Sequence, residues 1–362
     1  MEKSILQKYP KTATALLSSI IIAIFLAIFA AILNFDFLQD YKNGEKYSIL
    51  DKIIYKITCS DQRNIRLREL RPNHESKKFP NKNTENLEYK EYVLRSNFDG
   101  FVEPAFVNEN PDAQIFFLGG STTECEYVDE ELRFPYLVGK ILQQKTGLKI
   151  NSDNAARSGN NSLHSIDILV NKLLPYQPNI VVMMHNVNDL SALFYEGSYW
   201  NKNKTITPIS CASKDRDSQG KLSSQWADSS WQNKLIADKN EQEKLLKLFK
   251  ENLKILIAIN KAKNITSVLM TQANRIEKDP KFTLERGLEV DKTYRELYIR
   301  FNQIIRQTAR EENILLIDLA QKIPSEKKYI YDSVHLNNAG SVLVADEIVK
   351  VLYPYIKNRH AK

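Results

Sequence analysis

FFLGGSTTECEY, Phe116 to Tyr127, is the stretch on which the reading of this chain turns. An apolar run stops at two glycines and gives way to a serine and two threonines. The chain has only 11 glycines in 362 residues, so a Gly-Gly pair stands out. One reading is structural: a strand ends in a turn, and glycine takes the positive φ that turns need. The other is chemical: the turn presents Ser121 at the mouth of a sheet, where a helix starts. The rest of the chain decides, by whether it brings partners to that serine.

Outward from this stretch, strands and helices alternate. Apolar runs suited to buried parallel strands are AQIFFL (Ala113 to Leu118), NIVVMM (Asn179 to Met184), ITSVLM (Ile265 to Met270) and ILLIDL (Ile314 to Leu319). A weaker one, LKINSDNA, starts at Leu148. Helical patterns lie at Phe134–Thr146, Ser162–Leu174, Asn240–Lys261, Asp291–Glu311 and Ala339–Leu352. This alternation predicts a parallel sheet covered by helices on both faces. Such folds bind ligands beyond the carboxyl ends of their strands. Pro104 and Pro111 bracket the entry to the first clear strand.

Four loops lie at those ends or in the last strand–helix unit. GGSTTE holds Ser121, NAARSGNNS holds Gly159, MHNVNDL holds Asn188, and YDSVHLNNAG holds Asp332 and His335. Together they offer a nucleophile, hydrogen-bond donors, a base and a carboxylate, the set that acyl transfer through a serine requires. A serine hydroxyl becomes a competent nucleophile when a neighbouring base takes its proton. His335 can do so, oriented by Asp332 three residues earlier.

In order and spacing these blocks resemble the SGNH (GDSL) hydrolase superfamily, from Ala113 to Tyr353. The resemblance implies Ser121 as nucleophile and Asp332 with His335 as the remaining triad members. It implies an oxyanion hole from the N–H groups of Ser121 and Gly159 and the side chain of Asn188. It also implies a flavodoxin-like three-layer α/β/α sandwich with a five-stranded parallel sheet. A long stem leading into GGST is further similar to membrane-anchored bacterial members associated with cell-surface polysaccharides. Two positions depart from the family pattern: Gly120 stands where aspartate is common, and Asn186 replaces a glycine before Asn188. Asparagine tolerates positive φ better than other non-glycine residues, so that turn is expected to survive.

The N-terminus gives a second expectation. Thr12 to Phe35 carries no charge and is long enough to cross a bilayer. It exceeds the apolar core of a cleaved signal peptide and has no polar face. Lys3, Lys8 and Lys11 precede it, and Asp36 and Asp40 follow. The positive-inside tendency puts the N-terminus in the cytoplasm. The expected plan is a cytoplasmic tail (1–11), a transmembrane anchor (12–35), an extracytoplasmic stem (36–110) and a hydrolase-like domain (111–362). Within that domain, residues 191–239 lack periodicity and hold Trp200, Trp226 and Trp231. A long irregular segment beginning beside Asn188 is expected to carry function, here stacking of a saccharide on its tryptophans and on Tyr195 and Tyr199. His185 is expected to line the same pocket.

The formal charge of +7 comes from scattered lysines, without a nucleic-acid-binding signature. No metal-ligand pattern occurs, and GGSTTE lacks the Gly-Lys-Ser/Thr ending of a phosphate loop, so no cofactor is expected. Of three cysteines, Cys125 is expected as a buried thiol and Cys59 with Cys211 as the pair able to bridge. The expected function is hydrolysis or transfer of an acyl group, acetyl foremost, on a cell-surface glycan, beside polysaccharide-assembly proteins. The alternatives are a catalytically silent glycan-binding or scaffold protein, and a lipid esterase.

Overall fold

The structure is a computed structural model that describes residues 18–25, 64–65, 67–81, 84, 86–200, 209–210, 229–279 and 288–360. Two compact units divide the chain: Met1–Asn64 with Cys211–Leu222, and Ile65–Ser210 with Ser223–Lys362. Of the first, helical residues 18–25 and Asn64 are described. Most of the Thr12–Phe35 run lies outside the described residues, as do Cys59, Cys211 and Trp226. No helix among the described residues is long and apolar enough to cross a membrane.

In the second unit, β1 (Glu75–Lys78) and β2 (Tyr92–Arg95) form an antiparallel pair. Six strands then build the central sheet: β3 (Val102–Phe106), β4 (Ala113–Gly119), β5 (Ile150–Asn154), β6 (Ile180–Met184), β7 (Thr266–Met270) and β8 (Leu315–Ile317). Their order is β8-β7-β6-β4-β5-β3. Strands β4 to β8 are parallel, and β3 runs antiparallel to β5 at the edge. The sheet therefore has one strand more than the five expected, and the extra strand comes from the segment read as stem. Its Pro104 disguised it, since proline removes a ladder donor and fits only an edge or a bulge. Here the strand is at an edge and its register shifts along its length.

Strand β4 shows why the sheet is buried on both sides. Phe116 and Leu118 join one apolar cluster with Val181, Met183 and Leu269 from the neighbouring strands. Ile115 and Phe117 point the other way, with Val182, Met184, Val268 and Met270. Alternate residues of one strand face opposite sides of the sheet, so two cores need an unbroken apolar run.

Helix α1 (Ser121–Glu124) follows β4 directly. Against one face of the sheet pack α2 (Phe134–Thr146), with Pro135 in its first turn, and α9 (Asn338–His360). On the other lie α3 (Ser162–Ile168), α4 (Val187–Glu196), α5 (Ser229–Ala237), α6 (Lys239–Ala262) and α7 (Leu288–Glu311). The short α8 (Leu319–Lys322) follows β8. The helix expected over Ser162–Leu174 widens into a π turn at Leu169–Leu173, ahead of Pro175, whose ring and missing N–H interrupt α-helical bonding. Residues 191–239 are also more regular than expected. α4 runs through Glu196 to a left-handed cap at Gly197, and α5 occupies Ser229–Ala237.

Candidate active site

Three loops converge on Ser121. Gly120 is extended, with φ −97 and ψ −151, and Ser121 opens α1. His335 Nε2 lies 2.7 Å from Ser121 Oγ, and His335 Nδ1 lies 2.6 Å from Asp332 Oδ2. An ionised carboxylate only accepts hydrogen bonds, so Nδ1 carries the proton and Nε2 accepts from Ser121. The other carboxylate oxygen, Oδ1, accepts the backbone N–H groups of Val334 at 2.9 Å and His335 at 2.8 Å. Burial alone would raise the pKa of Asp332, but these bonds and the imidazole hold it below the usual carboxylate value. Tyr331 stacks on the His335 ring, centroids 5.7 Å apart and 16° from parallel.

The two remaining expected residues lie beside this triad. Gly159 has φ +81, where a residue with Cβ would be strained, and it leads into α3. Asn188 sits in the first turn of α4, where its Nδ2 donates to Asn160 O at 2.8 Å. That amide group occupies the space a Cβ on Gly120 would need. A side chain at position 120 would therefore displace Asn188, which gives the GGS reading a steric reason. Asn186 differs from expectation: its φ is −169, so no left-handed conformation is required there. Its Nδ2 donates to Tyr298 O at 3.2 Å instead.

His185 and the aromatic residues fall elsewhere. His185 is buried, 3.7 Å from Asp189, and has no surface to present to a substrate in this structure. Desolvation lowers its pKa and Asp189 opposes that shift. Tyr199 is fully buried and donates to Asp189 at 2.7 Å. The Trp231 ring lies against Gly197, its Nε1 donating to Leu193 O at 3.4 Å, so it anchors α5 to α4. Trp200 alone of the described tryptophans is open, at 60% exposure.

Several organising residues gave no signal in the sequence. Asp189 Oδ1 accepts from Ser162 N at 2.9 Å and Ser162 Oγ at 2.5 Å, locking the start of α3 to α4. Asn252 of α6 donates to the same Ser162 hydroxyl at 2.9 Å. Gln272, just beyond β7, donates to Thr122 Oγ1 at 2.9 Å and accepts from Val187 N at 3.0 Å. It thereby ties the Ser121 turn to the Asn188 block. Arg275 N donates to Ser333 O at 2.8 Å, and its guanidinium to Ile330 O at 3.3 Å, fixing the loop of Asp332 and His335. The fully buried Arg133 donates to Cys125 O at 3.3 Å and Val93 O at 2.5 Å, fastening β2 to the nucleophile turn. Cys125 is a buried free thiol, as expected, and burial pushes its pKa up to about 12.

Among the described residues no group of three or more metal-ligating side chains occurs. The arrangement can do one chemistry well: move a proton from Ser121 to His335 while the serine oxygen attacks an acyl carbon.

Comparison with known proteins follows the same line. The family described as GDSL-like Lipase/Acylhydrolase matches residues 117–343. No curated relative matches in sequence. Among solved structures, a putative GDSL-like lipase from Parabacteroides merdae is 17% identical, with a TM-score of 0.43, covering 68% of this chain and 97% of that one. Axe2, an acetylxylan esterase from Geobacillus stearothermophilus, is 16% identical, with a TM-score of 0.44, covering 67% and 94%. A putative lipolytic protein of the G-D-S-L family from Desulfitobacterium hafniense is 11% identical, with a TM-score of 0.41, covering 66% and 99%. These likenesses are distant. The match over residues 117–343 spans well over half of the chain and includes all three residues of the serine–histidine–aspartate relay. The chain is an ester-hydrolysing serine enzyme and belongs to the GDSL-like lipase/acylhydrolase family.

Proposed function

We propose that this enzyme removes or transfers acyl groups, acetyl foremost, on a cell-surface glycan, with Ser121 as nucleophile. The unbroken relay of 2.7 Å and 2.6 Å from Ser121 through His335 to Asp332 is the observation that carries the reading. Ser121 Oγ attacks the ester carbonyl carbon as its proton passes to His335 Nε2. The carbonyl oxygen becomes an oxyanion facing the N–H groups of Ser121 and Gly159 and the Asn188 amide. That amide has a second N–H besides the one donated to Asn160. Collapse of the intermediate breaks the ester C–O bond, and the imidazolium returns its proton to the departing alcohol. The acyl-enzyme then yields to water in hydrolysis, or to an acceptor hydroxyl in transfer, with His335 again accepting the proton.

The glycan assignment draws on the exposed Trp200, which offers a flat apolar face with a polar edge. The surface location draws on the uncharged Thr12–Phe35 run and the lysines before it. On this reading the N-terminus is cytoplasmic, the anchor is single-pass, and the catalytic unit works outside the cytoplasm beside polysaccharide-assembly proteins. The test is fluorophosphonate labelling of the detergent-solubilised full chain, followed by acetate release from an O-acetylated glycan and from a simple aryl acetate. Labelling lost in Ser121→Ala, with acetate released from both substrates, supports the proposal. Unchanged labelling in Ser121→Ala overturns the mechanism; aryl acetate turnover without glycan turnover overturns the substrate. A C-terminal reporter that fluoresces only in the reducing cytoplasm should stay dark.

A further inference from the structure

Arg68 lies outside residues 117–343 of the family match, yet its guanidinium reaches the loop of Gly159. It donates to Ser158 O at 3.0 Å. That carbonyl and the Gly159 N–H are the two ends of one planar peptide unit, pointing in opposite directions. A cation bonded to the oxygen end draws electron density through the unit and strengthens the donor at the nitrogen end. The same guanidinium fills the space where a Cβ on Gly159 would sit. Position 159 favours glycine for its φ of +81, and the arginine packs into the space that its missing Cβ leaves.

The backbone of Arg68 is tied to the second donor. Asn160 Nδ2 donates to Arg68 O at 2.9 Å, and Asn188 Nδ2 donates to Asn160 O at 2.8 Å. A single chain of bonds therefore runs from Arg68 to both the Gly159 peptide and the Asn188 amide. The arginine is itself held in place. Glu69 pairs with the largely buried Lys172 at 2.5 Å, and Leu70 packs in an apolar cluster with Leu94 and Val102. Arg157, the nearest competing cation on the loop, is engaged with the buried Glu124 at 3.3 Å.

We propose that Arg68 is a positioning residue of the oxyanion hole, which aims and polarises the Ser158–Gly159 peptide toward the charge that develops on the substrate. This rests on the reading of Ser121 as nucleophile. Its role is confined to the transition state, because the ground-state carbonyl carries little charge for the Gly159 N–H to stabilise.

The experiment is steady-state turnover of a simple aryl acetate by the full-length solubilised chain, in wild type, Arg68→Gln, Arg68→Lys and Arg68→Ala. In Arg68→Gln, kcat should fall about tenfold to a hundredfold, below the ~10²–10³ typical of deleting an oxyanion donor outright. KM should stay within about twofold. Arg68→Lys keeps the charge without the planar fork and should retain part of the rate. Millimolar guanidinium added to Arg68→Ala should restore kcat, an effect that loss of packing alone would not give. Wild-type kcat in Arg68→Gln, a change confined to KM, or failure of guanidinium to rescue Arg68→Ala overturns the role. Should the Gln and Ala variants fail to fold, Arg68→Lys decides: wild-type kcat in it overturns the proposal, and reduced kcat at unchanged KM supports it. A wild-type chain that Ser121→Ala does not distinguish would instead bring down the reaction itself.

Discussion

The unit holds two histidine–aspartate pairs at helical spacing, and they behave oppositely. His335 and Asp332 are part-exposed, at 28% and 34%, and meet at 2.6 Å. His185 and Asp189 are almost fully buried, at 1% and 0%, and stand 3.7 Å apart. At the exposed pair, both carboxylate oxygens are hydrogen-bonded, one to the ring and one to backbone N–H groups, and the ring's far nitrogen faces a serine. At the buried pair, Asp189 Oδ1 is committed to Ser162 and Tyr199, while Oδ2, 3.7 Å from the ring, and both ring nitrogens have no hydrogen-bond partner among the described residues. Residue type and spacing alone do not separate a proton relay from a structural seam. What separates them is where the carboxylate's lone pairs go and whether the ring's second nitrogen reaches a reactive group.

The largest effects should come from the exposed pair. Ser121→Ala or His335→Ala should cut turnover of an aryl acetate by about 10⁴-fold or more, because members of such a relay act as one unit. Thermal unfolding midpoints should change little, since neither side chain fills a core. Asp332→Asn should cost roughly 10²–10⁴-fold, because an amide can donate to Nδ1 and favour the wrong tautomer. Near-wild-type turnover in Asp332→Asn would show that another group orients His335, and the comparison would lose its central contrast. Acid should weaken this pair. The folded pKa of Asp332 is depressed, so its contribution to stability is present above the unfolded value and is lost as pH falls through the folded one.

Asp189→Ala tests the buried seam. It leaves the Ser162 and Tyr199 hydroxyls without their acceptor and should cost roughly 2–4 kcal/mol of stability. Because Asp189 joins α3 to α4, the loss should appear in the unfolding midpoint before it appears in KM. A midpoint within a degree of wild type would mean that the seam is replaceable by water. The tryptophans repeat the contrast at smaller scale. Trp231→Ala should destabilise the protein by about 2–4 kcal/mol, with both substrates affected alike. Trp200→Ala should leave stability and aryl acetate turnover intact while weakening glycan turnover severalfold; equal loss on both substrates would remove the support it gives to a glycan.

How much of this was legible depended on whether the signal was local. The strand over Ala113–Gly119 and the triad residues announced themselves, because an apolar run and fixed motifs are visible in a few consecutive letters. The edge strand over Val102–Phe106 was hidden by Pro104, a residue that edge pairing tolerates and interior pairing does not. Asn188 and Gly159 were singled out by motif, but the packing at Gly120 was not, since it lies in the Asn188 amide set against it. Arg68 was illegible: one arginine in a polar stretch gives no hint that it meets Ser158, ninety residues away. Tyr199 and Trp231 were misread for a related reason. Composition says that Tyr199 and Trp231 are large and amphipathic, but only packing says whether their polar atoms meet a substrate or a neighbouring helix.

The smallest expected effect belongs to His185, and it is the sharpest test of the buried pair. Desolvation holds its pKa below 6.5, against the opposing charge of Asp189, so the folded ring stays neutral when the unfolded ring takes up a proton. Below pH of about 6.5 the unfolded state therefore binds more protons than the folded one, and stability falls as pH drops toward the folded pKa. The slope is at most about 1.4 kcal/mol per pH unit. His185→Phe keeps a ring of similar shape and removes that proton uptake. Its unfolding midpoint should lie close to wild type at pH 7.5 and above wild type at pH 5.5, with kcat and KM for an aryl acetate unchanged. An identical acid dependence in the variant and wild type would mean that His185 takes up its proton equally in the folded and unfolded chain, so that burial does not hold it neutral. A raised KM for the glycan alone would return His185 to the substrate pocket, and the two pairs would then differ in degree rather than in kind.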